Sequence, residues 1–162
     1  MMTPEEYEQL TSQIAGSIYT AVEGITPEQV LFGRCSKWVG QSGYEHQIDV
    51  TVRGPNDAIL VECKYWQDPV PPEGVLTFIA RLLDIRPTFA GVIHGVIVTK
   101  SGLTSGAGLL ARHYETDTQV IPGPEAFGVS YKKLRLISPA IGRIGIECQV
   151  PKVNISENEI KD

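Results

Sequence analysis

Residues 46–65 read HQIDVTVRGPNDAILVECKY, in which two apolar runs are separated by Gly54-Pro55-Asn56-Asp57. These four residue types favour a tight turn, because they readily adopt the backbone angles of a chain reversal. On both sides of the turn, apolar residues alternate with polar ones, as in strands with one buried face. The sequence therefore predicts an antiparallel hairpin of two strands, at residues 46–53 and 58–65.

The length of the turn predicts which residues of the two strands face each other. With the turn closed between residues 53 and 58, Asp49 lies opposite Glu62, and Gln47 lies opposite Lys64. Because side chains alternate along a strand, Glu62 and Lys64 share one face of the sheet, and Asp49 joins them there. Two carboxylates and one ammonium group are thus expected to converge.

A cation between the carboxylates explains this cluster. Like charges directly opposed across two strands cost of order 0.2–1 kcal/mol. Asp49, Glu62 and the main-chain carbonyl of Cys63 offer the hard oxygen ligands that Mg²⁺ (or Mn²⁺) accepts. Such a site activates water for attack on a phosphodiester, with Lys64 stabilising the developing negative charge. The alternative is a salt-bridged triplet in which Lys64 merely neutralises two surface acids.

The remaining patterns predict an α/β domain with elements in the order α-β-β-β-α-β-α-β. Helices are expected at residues 4–22, from Val75 to about Arg86, and at 104–114. Further strands are expected at 30–38, 92–98, 119–121 and, late in the chain, 144–150. A hairpin combined with helical crossovers indicates a mixed central sheet flanked by helices. We expect one domain over residues 1–152 and an acidic, solvated tail over 153–162.

Composition excludes several classes of protein. The net charge of −5 over 162 residues gives no overall positive field for non-specific nucleic-acid binding. Three widely spaced cysteines suggest neither a disulfide framework nor a zinc site. Acids at the N-terminus and the short apolar run at 91–99 argue against a signal peptide and a membrane span. A cytoplasmic protein without membrane contact is expected.

Several segments also match a known family. The stretches GYEHQIDVTVRG (43–54) and AILVECKYW (58–66) resemble the PD-(D/E)XK nuclease superfamily, which has the restriction endonuclease-like fold. The resemblance is closest to its Mrr-type branch, in which an I-D-[LV] strand precedes an [EQ]-x-K strand. HGVIVTKSGLTSGAGLLARHY (94–114) and the YEQL of the first helix (7–10) extend it more weakly over most of residues 5–115.

The resemblance implies a Mg²⁺-dependent endodeoxyribonuclease with the restriction endonuclease-like core. Asp49 and Glu62 would be metal ligands and Lys64 the catalytic lysine, while Glu8 on the first helix would complete the site. DNA is the implied substrate, and a homodimer is expected because one site cuts one strand. Residues 45–47 replace glycines common in the Mrr-type branch, which puts the choice of target in doubt.

Other interpretations stay open from the sequence. The same carboxylates would serve a structure-selective nuclease or one acting on RNA. The net charge of −5 is also an argument for a partner protein that directs the enzyme to its target, or for a dimeric groove. A non-catalytic subunit of the nuclease fold, docking another protein through its acidic first helix, is a further alternative. Gln47 and Trp66 are candidate substrate-binding residues, although Trp66 also fits simple packing. A basic cluster at Lys132, Lys133 and Arg135 fits either a phosphate contact or a solvated face.

Overall fold

The computed structural model describes residues 2–23 and 28–122. The predicted strand at 144–150, the basic cluster at 132–135 and the tail at 153–162 lie outside these residues. The described elements, in chain order, are α1 (Pro4–Glu23), β1 (Gln29–Phe32), β2 (Lys37–Val39), β3 (Glu45–Gln47), β4 (Val50–Arg53), β5 (Asp57–Lys64), α2 (Pro72–Ile85), β6 (Val92–Thr99), α3 (Ser105–His113) and β7 (Thr116–Val120). Short 3₁₀ turns at Gly33–Cys35 and Arg86–Thr88 connect them.

Five strands form a mixed sheet in the order β1-β4-β5-β6-β7. The first three are antiparallel, whereas β5, β6 and β7 are parallel and are connected through α2 and α3. Arg53 faces Ala58 and Val50 faces Val61, as the predicted turn requires. Together with α1, this sheet confirms the predicted mixed α/β architecture and its order α-β-β-β-α-β-α-β.

The helices cover both faces of the sheet. On one face, α2 buries an apolar stripe at helical spacing, consisting of Val75, Phe78, Ile79, Leu82 and Ile85. A Cβ at residue 95 in β6 would overlap the side chain of Leu82, so Gly95 permits the close approach of α2 to the sheet. On the other face, Tyr7 of α1 packs with Val50, Val61 and Val96. Within the described residues, no helix is long and apolar enough to cross a bilayer.

The start of α1 is fixed by a reciprocal cap. The main-chain N–H of Thr3 donates to Glu6 Oε2 (2.7 Å), and the N–H of Glu6 donates to Thr3 Oγ1 (3.2 Å). This capping box satisfies two N–H groups that the helix itself leaves unbonded. Thr3 therefore caps α1, and the Glu6 carboxylate is directed to the helix end.

Two strands predicted as continuous are each broken in two. The strand expected at 30–38 is interrupted by the 3₁₀ turn at Gly33, whose φ of +58° suits glycine. The strand expected at 46–53 breaks between β3 and β4, where Ile48 N donates to Ser36 O and Asp49 O accepts from Gly33 N (both 2.9 Å). As a result, β2 and β3 form a separate two-stranded hairpin.

The break changes the position of Gln47. Gln47 in β3 faces Lys37 of β2, so the predicted pairing of Gln47 with Lys64 is wrong. The alternating pattern continues through the break because Ile48, although outside a strand, is fully buried against the core that includes Trp38. Alternation of apolar residues was therefore a poor guide to where the strand ends.

Candidate active site

The three residues at the centre of the predicted site lie at one end of the sheet. Asp49 immediately precedes β4, while Glu62 and Lys64 lie near the end of β5, the strand antiparallel to β4. Asp49 Oδ2 accepts a hydrogen bond from the main-chain N–H of Cys63 (2.7 Å). If β4 extended further, its backbone would accept a hydrogen bond from this N–H of β5. The Asp49 side chain accepts it instead and is thereby held beside Glu62.

Glu62 is a buried carboxylate with two cationic partners. The residue is 3% exposed. Its Oε1 accepts from Lys64 Nζ at 2.6 Å, and its Oε2 accepts from Arg81 Nη1 of α2 at 2.9 Å. A buried carboxylate is costly unless it is paired and hydrogen-bonded, and these two cations fulfil that requirement.

Asp49 lies in an environment that opposes its negative charge. Burial is the main cause that raises the pKa of Asp49 to about 7, and the charge of Glu62 raises it further. The hydrogen bond from Cys63 N and the charge of Lys64 lower the pKa, but they do not compensate. In the part of the chain described, Asp49 Oδ1 accepts no hydrogen bond. A carboxylate with a strongly raised pKa beside a second carboxylate is typical of functional sites.

Glu8 faces the same group of charges from α1. It is half-buried, and its pKa is raised by burial, then by the charges of Glu5 and Glu62. The charge of Glu8 in turn contributes to the raised pKa of Asp49. The Glu6 carboxylate caps the helix, whereas Glu8 is electrostatically coupled to the site. The role of Glu8 in the site stays a prediction.

The donor chemistry fits a divalent cation held by few protein ligands. Among residues 2–23 and 28–122, no three His, Cys, Asp or Glu side chains form a ready-made ligand cluster. Asp49 and Glu62 supply two carboxylates. Since the N–H and C=O groups of one strand residue point to the same edge, the Cys63 carbonyl lies on the Asp49 side of β5. Mg²⁺ commonly takes one or two carboxylates and completes its octahedron with water and phosphate.

The two candidate substrate-binding residues lie at different distances from this centre. Trp66 is 44% exposed, and its ring centroid is 5.3 Å from Lys64 Nζ. The ring also packs near Gly74 at the start of α2, so Trp66 combines packing with an exposed surface beside the site. Gln47 is exposed in the hairpin, and its main-chain carbonyl lies 3.5 Å from Arg81 Nη1.

Arg81 is the contact that sequence reasoning missed. It lies in α2, 19 positions after Glu62, and approaches the site only because α2 packs across the sheet. Its place in the helix, three residues after Phe78 and four before Ile85, puts it at the border of the buried stripe. The apolar spacing of α2 predicts that position from the sequence, but it does not predict that the Arg81 side chain contacts Glu62.

Comparisons with known proteins support the same architecture. The sequence matches the Mrr_cat family, described as a restriction endonuclease, over residues 1–125. The comparison with curated proteins gave no match. Among solved structures, the chain is similar to AF1548, a protein of unknown function, with 19% identity, a TM-score of 0.56, and coverage of 85% of this chain and 72% of that one.

Two further structures are similar over 80% of this chain. Protein VC1899 from Vibrio cholerae has 17% identity and a TM-score of 0.56, with 32% of that chain covered. Can2 from Sulfobacillus thermosulfidooxidans, solved in complex with cyclic tetra-adenylate, has 11% identity and a TM-score of 0.51, with 35% covered. The present chain therefore spans about a third of either protein, and the likeness is one of fold.

Proposed function

This chain belongs to the Mrr_cat family of restriction endonucleases, and we propose that it is a Mg²⁺- or Mn²⁺-dependent endonuclease that hydrolyses phosphodiester bonds in DNA. The observation that carries the proposal is the arrangement of Asp49, Glu62 and Lys64 at one end of the sheet. Asp49 has a raised pKa and an oxygen that accepts no hydrogen bond from residues 2–23 or 28–122, beside a carboxylate with a cation on each oxygen. A divalent cation at this point would relieve the repulsion between the Asp49 and Glu62 carboxylates.

Asp49, Glu62 and the Cys63 carbonyl would hold the cation in this proposal. Bound there, a divalent ion supplies Lewis-acid polarisation of the phosphate and lowers the pKa of a coordinated water. The Cys63 N–H orients the Asp49 carboxylate by its 2.7 Å hydrogen bond, so the ligand is fixed before any cation binds. Such orientation of a ligand by a neighbouring hydrogen bond is a general feature of metal sites.

Lys64 would act on the phosphate and the attacking water. An ammonium group has three N–H donors, and one of them is used by Glu62 Oε1. The other two are available to stabilise the negative charge that develops on the phosphate or to orient the nucleophile. Glu62 holds Lys64 at 2.6 Å while the lysine side chain stays 17% exposed, so the ammonium is both fixed and accessible.

Glu8 and Trp66 would complete the surface that receives the substrate. Glu8 adds a third negative charge near Asp49 and would bind a water molecule of the cation's shell or accept a proton. The exposed ring of Trp66 would contact a sugar or base beside the cleaved bond. Because one site cuts one strand, double-strand cleavage would require two copies of the chain.

The test is cleavage of supercoiled plasmid by the purified protein in Mg²⁺ and in Mn²⁺. Lys64→Met is expected to lower the cleavage rate by about a thousandfold, in the range lost when a main charge-stabilising group is removed. Lys37→Met is the matched control, because Lys37 also bonds a glutamate at 2.6 Å but lies exposed in the β2–β3 hairpin. It should cleave at the wild-type rate.

Three results would contradict the proposal. They are cleavage that persists in EDTA, cleavage undiminished in folded Lys64→Met, and no cleavage of plasmid by a folded wild-type protein. Parallel reactions with single-stranded DNA and with RNA identify the substrate class. Hydrolysis of RNA alone would replace DNA in the proposal while leaving the site assignment in place.

A further inference from the structure

The two carboxylates of the site are neutralised very unequally. Glu62 is bonded by Lys64 and Arg81, one cation on each oxygen, whereas among the described residues Asp49 receives only a main-chain N–H. A cation shared between Asp49 and Glu62 needs an oxygen from each of them. One of the two partners of Glu62 must therefore move away or share its oxygen when the cation binds.

Arg81 is the partner that leaves more readily. Its side chain is 31% exposed, compared with 17% for Lys64. Its contact with Glu62 is 2.9 Å, against 2.6 Å for Lys64, and its second contact, the Gln47 carbonyl, is at 3.5 Å. Lys64 is close to Glu62 in the same strand, whereas Arg81 reaches it from α2 with a long and flexible side chain.

We propose that Arg81 is an exchangeable counter-ion of Glu62: it bonds Glu62 Oε2 before the divalent cation binds, and afterwards it binds a phosphate of the nucleic-acid backbone. This inference rests on the proposed function. The guanidinium is a planar donor that suits phosphate as well as carboxylate, and it stays charged in either place. Its release near a cation-bound phosphate would couple cation binding to substrate binding.

The exchange has a consequence that distinguishes Arg81 from a purely structural residue. Removing its charge should strengthen cation binding, because the cation then has no competitor for Glu62 Oε2. The same change should weaken nucleic-acid binding, because one phosphate contact is lost. A residue that only stabilises the fold would affect both kinds of binding in the same direction.

The experiment measures Ca²⁺ binding by calorimetry and binding of a DNA duplex by fluorescence anisotropy in Ca²⁺, which takes the same type of oxygen ligands. Wild type, Arg81→Gln and Arg112→Gln are compared. Arg112 is the matched control because it lies exposed on α3 and makes the same change of charge. Arg81→Gln is expected to bind Ca²⁺ about three- to tenfold more tightly and DNA about three- to tenfold more weakly than Arg112→Gln.

The outcomes separate this inference from the proposed function. If the wild type binds Ca²⁺ and Arg81→Gln binds it equally or less tightly, the exchange is wrong and the cation site stands. If the wild type binds no Ca²⁺ with or without DNA, the cation site itself fails, and the exchange fails with it. Should Arg81→Gln not fold, Arg81→Lys serves instead. It keeps the charge, so we expect near wild-type Ca²⁺ affinity but weaker DNA binding, and unchanged DNA binding would contradict the exchange.

Discussion

Asp49 and Asp84 are two aspartates in opposite electrostatic environments. Asp84, near the end of α2, accepts hydrogen bonds from Ser42 N (2.9 Å) and Ser42 Oγ (2.6 Å), and its Oδ2 lies 2.7 Å from His46 Nε2. The contact with His46 is the main cause that lowers the pKa of Asp84 to about 2, and both Ser42 bonds lower it further. Asp49 has one N–H donor within the part of the chain that the structure describes, is half-buried beside other carboxylates, and has its pKa raised to about 7.

The difference shows how this fold uses carboxylates for two purposes. Asp84 ties the β2–β3 hairpin to α2, because its partners Ser42 and His46 both belong to the hairpin region. Its charge is satisfied by the protein itself. Asp49 is fixed in position but is not neutralised by the described residues, which is the arrangement expected where a ligand supplies the missing charge.

The largest expected effect is the loss of DNA cleavage when the charge of Asp49 is removed. The same change at Asp84 serves as the comparison. Asp49→Asn keeps an oxygen for the Cys63 N–H but loses the anionic ligand, so DNA cleavage in Mg²⁺ should fall by about a thousandfold. Asp84→Asn should cleave within a few-fold of wild type, since the hairpin does not supply the proposed ligands. Initial rates of plasmid nicking measure both variants. Equal losses in the two variants would remove the distinction between the aspartates.

The two aspartates should contribute to the pH dependence of folding stability with opposite signs. The Asp49 pKa is raised in the folded state, so the folded protein binds that proton more tightly than the unfolded chain between about pH 4 and pH 7. Without divalent cations, stability should therefore fall as pH rises through this window. Asp49→Asn should remove that loss and gain about 1–2 kcal/mol over wild type at pH 8.

The sign for Asp84 is the reverse. Its pKa is lowered in the folded state, so its contribution to stability is present above about pH 4 and is lost as pH falls through about 2. Urea unfolding of wild type and both Asn variants, without divalent cations, at pH 3, 5, 7 and 8 would test both signs. An Asp49→Asn variant that is less stable than wild type at pH 8 would contradict the raised pKa.

The smallest expected effect concerns the hairpin itself. A Cβ at residue 40 would overlap the Asp84 carboxylate, so Gly40→Ala should displace Asp84 from Ser42 and His46. We expect a modest decrease in Tm, similar to that of Asp84→Ala, with no further decrease when the two changes are combined. Thermal unfolding monitored by circular dichroism measures this. Additive decreases would show that Gly40 does not act through Asp84.

The sequence predicted the central sheet well because the informative signals there are local. The turn at Gly54–Asp57 specifies the register of β4 and β5, and alternation specifies which face each residue occupies. The helices α2 and α3 followed from apolar spacing, and the local side chain of Thr104 caps α3 by accepting a hydrogen bond from Ala107 N. These features depend on neighbouring residues and not on the rest of the fold.

The features that sequence reasoning missed depend on contacts between distant segments. The break between β3 and β4 is stabilised by hydrogen bonds from Ile48 N to Ser36 O and from Gly33 N to Asp49 O. No local sequence pattern predicts these two hydrogen bonds. Arg81 meets Glu62 only through the packing of α2 on the sheet. The observed register of β4 and β5 ends at the pair Val50 and Val61, so the predicted pairing of Asp49 with Glu62 lies just beyond it, and the two carboxylates are near enough for the charge of Glu62 to raise the pKa of Asp49.

Titration of the purified protein with Mn²⁺ at pH 8, followed by electron paramagnetic resonance, tests whether Asp49 and Glu62 bind a divalent cation. We expect Mn²⁺ binding by wild type and Asp84→Asn and its loss in Asp49→Asn. The affinity of wild type should fall as pH drops below about 7, where Asp49 holds a proton. Absence of binding in wild type, or binding undiminished in Asp49→Asn, would contradict a cation site at Asp49 and Glu62.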